Sequence, residues 1–534
     1  MLTKQARLSS RRPKWPPLIL LLPGVCVAAA VLLPLVYLVL RSVEAGPGIW
    51  TFILRPRTVE VLWRTLLLAT SVTTVSLLLA LPVAWLTLRT DLPLRRFWFV
   101  LCLLPLVIPS YVGAFAMVSA FAQGGLVSSW LSSWLNVSLP SVYGFWGALI
   151  VLTLFNYPYM LLAVRAGLRG LDPSLEEAAR SLGRTSWQTF FQVTLPHLRP
   201  AIAAGALLVS LYVLSDFGAV SMLRYDSFTR AIYVQYENSF NRANAAVLGL
   251  MLVSLTGVVL LVDALVRGRA RLDRVGSGAA RRAPRLKLRG WTLPALLFLG
   301  LLVTLALVAP LSVIALWLWR GMASSQSVQL DWLAVWNTFS VSLLTAAVAT
   351  LAAVPVAVLA VRFPSRLSAL LERFSYLGYA LPGIVVALSL VFFGARYAPW
   401  LYQSIAMLVF GYTVLFIPQA VGTIRATLLQ INPHLEEAAR SLGRSPAATL
   451  LEVTLPLVRP GLITGAALVF LTTMKELPAT LLLGPTGFNT LATRTWSWSV
   501  EAFFAQAAPY ALLLVLVSSV SVAILLSQED LGDT

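Results

Sequence analysis

Three ionisable residues stand where the surrounding sequence is almost wholly apolar. Ser215-Asp216-Phe217-Gly218 closes one apolar run, and Lys475-Glu476-Leu477-Pro478 closes another 260 positions later. Asp216 and Glu476 therefore occupy matching places. Two carboxylates suit the passage of a hard cation, which favours oxygen ligands, and charges within apolar spans are costly enough that they are usually functional. The structural alternative is that Lys475 neutralises a neighbouring acid, or that these groups cap a broken helix. Other chemistry is scarce. The two histidines, His197 and His434, lie away from these runs, in basic segments. Cys26 and Cys102 each fall inside an apolar run and make no disulfide framework or metal motif. They read as small packing residues. No G-x-x-x-x-G-K-[ST] phosphate loop occurs. No catalytic residue, no metal ligand and no cofactor is expected.

The elements that must position these groups are membrane helices. The 534 residues are 58% hydrophobic and 11% charged, with mean hydropathy +0.83, whereas a soluble domain is about a quarter charged. Apolar stretches of the length needed to cross a bilayer, roughly 20 residues, recur about twelve times: near 18–40, 61–86, 97–120, 142–163, 201–221, 245–266, 292–318, 337–360, 376–395, 402–423, 460–483 and 508–527. The first is too long for a signal-peptide core and no clean small-residue cleavage site follows it, so it is expected to be retained. The formal charge is +19. Its Lys and Arg cluster before the first span and in alternate loops, including 165–199, 267–289 and 425–459, whereas 122–141 has no charge. This positive-inside pattern puts both termini in the cytoplasm and accounts for the basic excess without nucleic acid.

The chain is internally duplicated. LEEAARSLGR at 175–184 returns at 435–444, Val193-Thr194-Leu195-Pro196 returns as Val453-Thr454-Leu455-Pro456, and Pro82-Val83-Ala84 and Pro109 align with Pro355-Val356-Ala357 and Pro382 at an offset of 273. The expected organisation is a first half over 1–266, a basic cytoplasmic linker over 267–290 and a second half over 291–534. Each half has six spans, so the repeats are parallel, with a path at their interface. The repeated segment reads as a short helix. Asp172 is a good N-cap, Pro173 suits the first helical position, Glu176 and Glu177 meet the positive end of the dipole, and Gly183 supplies a stop. Leu175, Ala178, Ala179 and Leu182 share one face, with Glu176 and Arg180 paired i,i+4 on the other side. Asn432, Pro433, Leu435, Ala438, Ala439, Leu442 and Gly443 repeat the design.

Glu177-Ala178-Ala179, three residues, Gly183, nine residues, then Val193-Thr194-Leu195-Pro196 resembles the EAA loop of ABC importer permeases. The family pattern is EAA, three, G, nine, I-x-L-P, with Val193 and Val453 standing for Ile. The resemblance covers nearly the whole chain. It implies an all-α, type I importer permease fold of about twelve transmembrane helices in two homologous six-helix halves. It also implies a bacterial inner-membrane location and separate ATPase subunits, expected to be a homodimer, that hydrolyse ATP, so the chain itself is not an enzyme. Each EAA helix would seat in one ATPase subunit through Glu176, Glu177, Ala178, Ala179 and Gly183, and through Glu436, Glu437, Ala438, Ala439 and Gly443. Asp216, Lys475 and Glu476 are the candidate path residues.

The outer loops 222–243 and 484–506 repeat Arg230, Glu237 and Phe240 as Arg494, Glu501 and Phe504. A charged, aromatic outer surface suits docking of a periplasmic binding protein; solvated loops are the plain alternative. SDFGAVSMLRYDSFTRAIY and KELPATLLLGPTGFNTLATRTW look most similar to the fused ferric iron permeases, and that resemblance names ferric iron as cargo. Thiamine is the next expectation, with polyamine or an oxyanion behind it. An ion-coupled secondary transporter is the reading from another class, disfavoured by the doubled motif and the few buried charges.

Overall fold

Proline and the residue before it decide where the apolar runs break. In the computed structural model, which describes residues 17–44, 46, 48–135, 140–238, 242–267, 286–323 and 330–530, the expected third span at 97–120 is not one helix. It runs as Arg95–Leu103, a 3-10 turn over Leu104–Val107, and then Ser110–Phe121. Ile108 is extended (φ −87°, ψ 114°) and Pro109 follows at φ −58°, ψ 144°, because the ring of a proline disfavours helix at the preceding residue. The equivalent in the second repeat breaks in the same way at Pro382, where Arg366–Tyr379 and Gly383–Tyr397 meet at 105°. Prolines elsewhere, such as Pro82, Pro158, Pro355 and Pro418, sit inside continuous helices, as spans tolerate when neighbours satisfy the freed carbonyl.

Among the described residues nine helices are long and apolar enough to cross a membrane, or up to eleven if each of two bent pairs is one span, and a shorter apolar helix covers Phe504–Val520. The described chain is all-α; a single isolated bridge joins Thr90 and Leu286. The basic tail before residue 17, linker residues 268–285 and Phe240 lie outside the described residues.

Two compact units emerge: Met1–Leu38 with Trp336–Phe488, and Val39–Val335 with Asn489–Thr534. Each draws helices from both sequence repeats. In the larger unit the 34-residue helix Pro56–Arg89 packs on Phe145–Gly170 and on Leu195–Ser215. In the smaller unit Ile405–Gln430 packs on Leu455–Met474. Both packings need small residues, as close membrane helices do. A Cβ at Gly205 would fall 2.6 Å from the Met160 sulfur, and one at Gly465 2.6 Å from the Thr423 hydroxyl. These glycines are 260 residues apart, so the repeat extends to the helix contacts.

Candidate functional site

The repeated helix begins and ends as its residues dictate. Asp172 accepts a hydrogen bond from the Ser174 backbone N–H at 3.0 Å, which holds its carboxyl below the ordinary range. Asn432 likewise accepts from the His434 N–H at 3.0 Å, but the second helix begins one residue later than expected, with Pro433 and not Asn432 at its N-cap. The helices run over Pro173–Ser181 and His434–Ser441. They stop in matching turns. Gly183 and Gly443 have φ +83° and +88°, a region that favours glycine. Gly183 N–H donates to Arg180 and Arg184 N–H to Ala179, and Gly443 and Arg444 repeat this with Arg440 and Ala439. This is the two-bond arrangement of a glycine-terminated helix.

The buried face differs from the expected one. Glu176 and Ala179 are the buried residues of the first copy, and Glu436 that of the second. Ala178 and Ala438 are exposed, and Leu182 and Leu442 are 81% and 86% exposed. The cause is electrostatic. Arg89 ends the helix Pro56–Arg89 with its side chain 5% exposed, and a guanidinium so placed requires an acid. Glu176 supplies it, with Arg89 Nη2 3.6 Å from Glu176 Oε1. The Thr194 hydroxyl donates to the same oxygen at 2.9 Å. In the second copy Arg362 Nε donates to Glu436 Oε1 at 2.9 Å and the Thr454 hydroxyl donates to it at 3.2 Å. The Glu176 carboxylate thus turns to Arg89 and Thr194, where an i,i+4 pairing with Arg180 was expected. The two threonines end π-helical turns, Phe190–Thr194 and Leu450–Thr454, again 260 residues apart. Such turns often mark functional positions. Glu177 is exposed, and Glu437, partly exposed, meets His434 at 3.1 Å. The two neighbouring acids of each copy therefore face different surroundings, one the protein and one the outside.

The candidate path residues sit where spans break. Asp216 caps the helix Leu195–Ser215. Its Oδ1 accepts from the N–H groups of Ala219 at 3.0 Å and Val220 at 3.3 Å, and its Oδ2 from the Ser110 hydroxyl. Ser110 opens Ser110–Phe121 and Gly218 opens Gly218–Met222, so the carboxylate lies at two helix starts, which favour negative charge. Glu476 repeats this in the other unit. Its Oε1 accepts from Ala479 N–H at 3.3 Å, at the start of Pro478–Leu483, and it abuts Gly383, which opens Gly383–Tyr397. Gly383 aligns with Ser110 at the offset of 273. A Cβ there would stand 2.7 Å from Glu476 Oε1. The longer acid thus fills the space that serine fills beside the shorter one. Lys475 is half-buried and caps Leu455–Met474.

Both candidate outer arginines are engaged within the chain. Arg230 pairs with Asp226 one turn earlier; Asp226 also takes Arg57 at 2.6 Å and lies 3.6 Å from Arg64. Arg494 donates to Asp331 Oδ2 from Nε at 3.1 Å and from Nη2 at 2.7 Å, and holds that carboxyl below its ordinary range. Asp331 Oδ1 meanwhile caps the helix Trp332–Arg362 through Leu333 and Ala334 N–H. Glu237 bonds Tyr233, whose hydroxyl is held above its ordinary value first by burial and then by that acid. Glu501 is exposed and ends Leu491–Val500. Among the described residues no group of three or more His, Cys, Asp and Glu is arranged to hold a metal ion.

Many apolar helices, duplicated and each set carrying a glycine-stopped helix of EAA type, define the membrane-embedded permease of an ABC importer. The chain belongs to the family of binding-protein-dependent transport system inner membrane components, which it matches over residues 73–271 and 348–529. It is 36% identical over 519 residues to the Fe(3+)-transport system permease protein FbpB 2 of Haemophilus influenzae, covering 96% of this chain and 99% of that one. It is 29% identical over 226 residues to the molybdenum transport system permease protein ModB of Escherichia coli, covering 40% of this chain and 96% of that one. A putative ferric transport system permease protein, FbpB 1 of Haemophilus influenzae, is 24% identical over 405 residues, 71% of this chain and 63% of that one. The chain is accordingly a multi-pass inner-membrane protein and a permease subunit of an ABC importer.

Proposed function

We propose that this permease imports ferric iron delivered by a periplasmic binding protein, driven by separate ATPase subunits that form a homodimer. The observation that carries the cargo is the identity to a Fe(3+)-transport permease along nearly the full length of both chains. In this reading the halves 1–266 and 291–534, joined by the linker 267–290, line the path, and both termini are cytoplasmic. The two repeated helices are the coupling helices. Their exposed Leu182 and Leu442 and their outer acids Glu177 and Glu437 meet the ATPases. ATP-driven closure draws the coupling helices together and opens the path outward; hydrolysis returns it, as a bistable element would.

Weak handling of the cation fits the site. A conducting path must bind loosely enough to release, and Asp216 already accepts three hydrogen bonds from the protein. We assign Asp216, Lys475 and Glu476 to the walls of the path at the span breaks. The outer surface carrying Arg230, Glu237, Arg494 and Glu501 receives the binding protein. The deciding experiment is uptake in vesicles reconstituted with the binding protein and ATPase, comparing labelled ferric iron with thiamine. ATP-dependent accumulation of iron is expected; accumulation of thiamine and not iron would refute the cargo.

A further inference from the structure

Each coupling helix is attached to the permease by little apolar surface. Glu176 and Ala179 are the buried residues of Pro173–Ser181, and Glu436 that of His434–Ser441. What attaches both copies is the buried arginine-acid pair. In the first, Arg89 also donates to the Leu168 carbonyl at 3.2 Å, in the last turn of Phe145–Gly170. In the second, Arg362 donates to the Ile431 carbonyl at 3.2 Å, at the end of Ile405–Gln430. With Thr194 and Thr454 included, four segments converge on each arginine-acid pair: a long span, the end of a later span whose carbonyl the arginine bonds, the coupling helix and the π-turn that opens the following span.

We propose that Arg89 and Arg362 are positioning residues for transport. Through Glu176 and Glu436 they make each coupling helix move as one body with the spans behind it. This rests on the coupling-helix reading above. A buried arginine deprived of its acid is left uncompensated, so the pair holds one geometry or none. Force applied at Leu182 or Glu177 reaches Pro56–Arg89 directly through this pair, in addition to the route along the chain through Phe145–Gly170, because the coupling helix buries few other side chains. The two copies differ in tightness. Arg362 uses Nε on its acid at 2.9 Å, whereas Arg89 Nε is buried without a hydrogen-bond partner. The end of the linker also docks beside the first copy: Leu286 N–H donates to the Arg89 carbonyl at 2.9 Å and Leu288 N–H to Asp91 at 2.8 Å. The second clamp is the one whose loss is felt more.

The test uses the full permease assembled with its ATPase and binding protein. Glu176→Gln with Glu436→Gln keeps the volume and the acceptor for each threonine while removing the charge. Hydrogen exchange at 173–181 and 434–441 is expected to quicken by ~10-fold or more, and iron transported per ATP hydrolysed to fall by ~5-fold or more, with the ATPase still co-purifying. Glu436→Gln alone should lower iron per ATP more than Glu176→Gln alone. Unchanged iron per ATP with ATPase bound would overturn the proposal. Failure of the double variant and of Arg89→Lys with Arg362→Lys to accumulate would assign the pairs to folding and overturn it equally. An ATPase that does not bind even the unaltered permease would instead refute the coupling-helix reading.

Discussion

Transplanting one repeat's solution into the other tests why the span breaks hold acids. Gly383→Ser places a Cβ 2.7 Å from Glu476 Oε1, well inside van der Waals contact, so the carboxylate must move. Overpacking of this kind costs about 1–3 kcal/mol. Glu476→Asp by itself withdraws the carboxylate from Ala479 N–H, now 3.3 Å away, and loses a cap worth about 1 kcal/mol. Together the two changes rebuild the Ser110–Asp216 arrangement, in which the hydroxyl donates to the carboxylate. A hydrogen bond to a charged group contributes about 1.5–3 kcal/mol. The coupling between the sites is therefore expected to be at least about 1.5 kcal/mol, within the range for touching residues. The assay is thermal unfolding of the purified permease in detergent, followed by tryptophan fluorescence. At about 2–4 °C per kcal/mol for a unit of this size class, each single variant should melt several degrees lower and the double variant close to the unaltered protein. A double variant that loses the sum of the two single losses would refute the packing argument, as would a Gly383→Ser variant that melts normally.

Replacing Glu177 and Glu437 together with alanine should reduce iron uptake by ~10-fold or more while insertion stays intact, since these acids face outward rather than into the permease; normal uptake would remove them from the ATPase contact. Gly183→Ala meets nothing within 4 Å but must adopt φ +83°, so it should cost about 1–2 kcal/mol from backbone strain alone, read as faster exchange at the end of the coupling helix; no change would show that the turn relaxes. Reversing Arg230 and Arg494 should weaken binding-protein affinity at low salt, and an unaltered affinity would move the docking surface elsewhere. Asp331 titrates below its usual range because Arg494 bonds it, so its contribution to stability is complete above about pH 4 and is lost as pH falls through its lowered folded value. Melting temperature should therefore drop more steeply below pH 4 in the unaltered protein than in Asp331→Asn, and parallel curves would count against that pair.

Much of this protein is written in local sequence. Apolar run length requires membrane helices whatever else the chain does, because no other local structure satisfies the backbone in hydrocarbon. The duplicated decapeptide, its Asp172 cap, the Asn432 bond to the His434 N–H and its Gly183 and Gly443 stops are set by neighbours a few residues away. What the sequence left open was which of two adjacent acids turns inward. Periodicity favoured the alanine-leucine face, yet Glu176 is buried because Arg89, 87 positions earlier, brings a desolvated charge to that spot. The pairing of Arg89 with Arg362 at the repeat offset of 273 was a signal available in the sequence, but nothing local connects either to its glutamate. The match of Ser110 with Asp216, and of Gly383 with Glu476, likewise depends on broken spans brought together across more than ninety residues. Short-range sterics and hydrogen bonding fix caps, turns and spans; the choice of partner for a buried charge belongs to tertiary packing, which alone decides what stands opposite it.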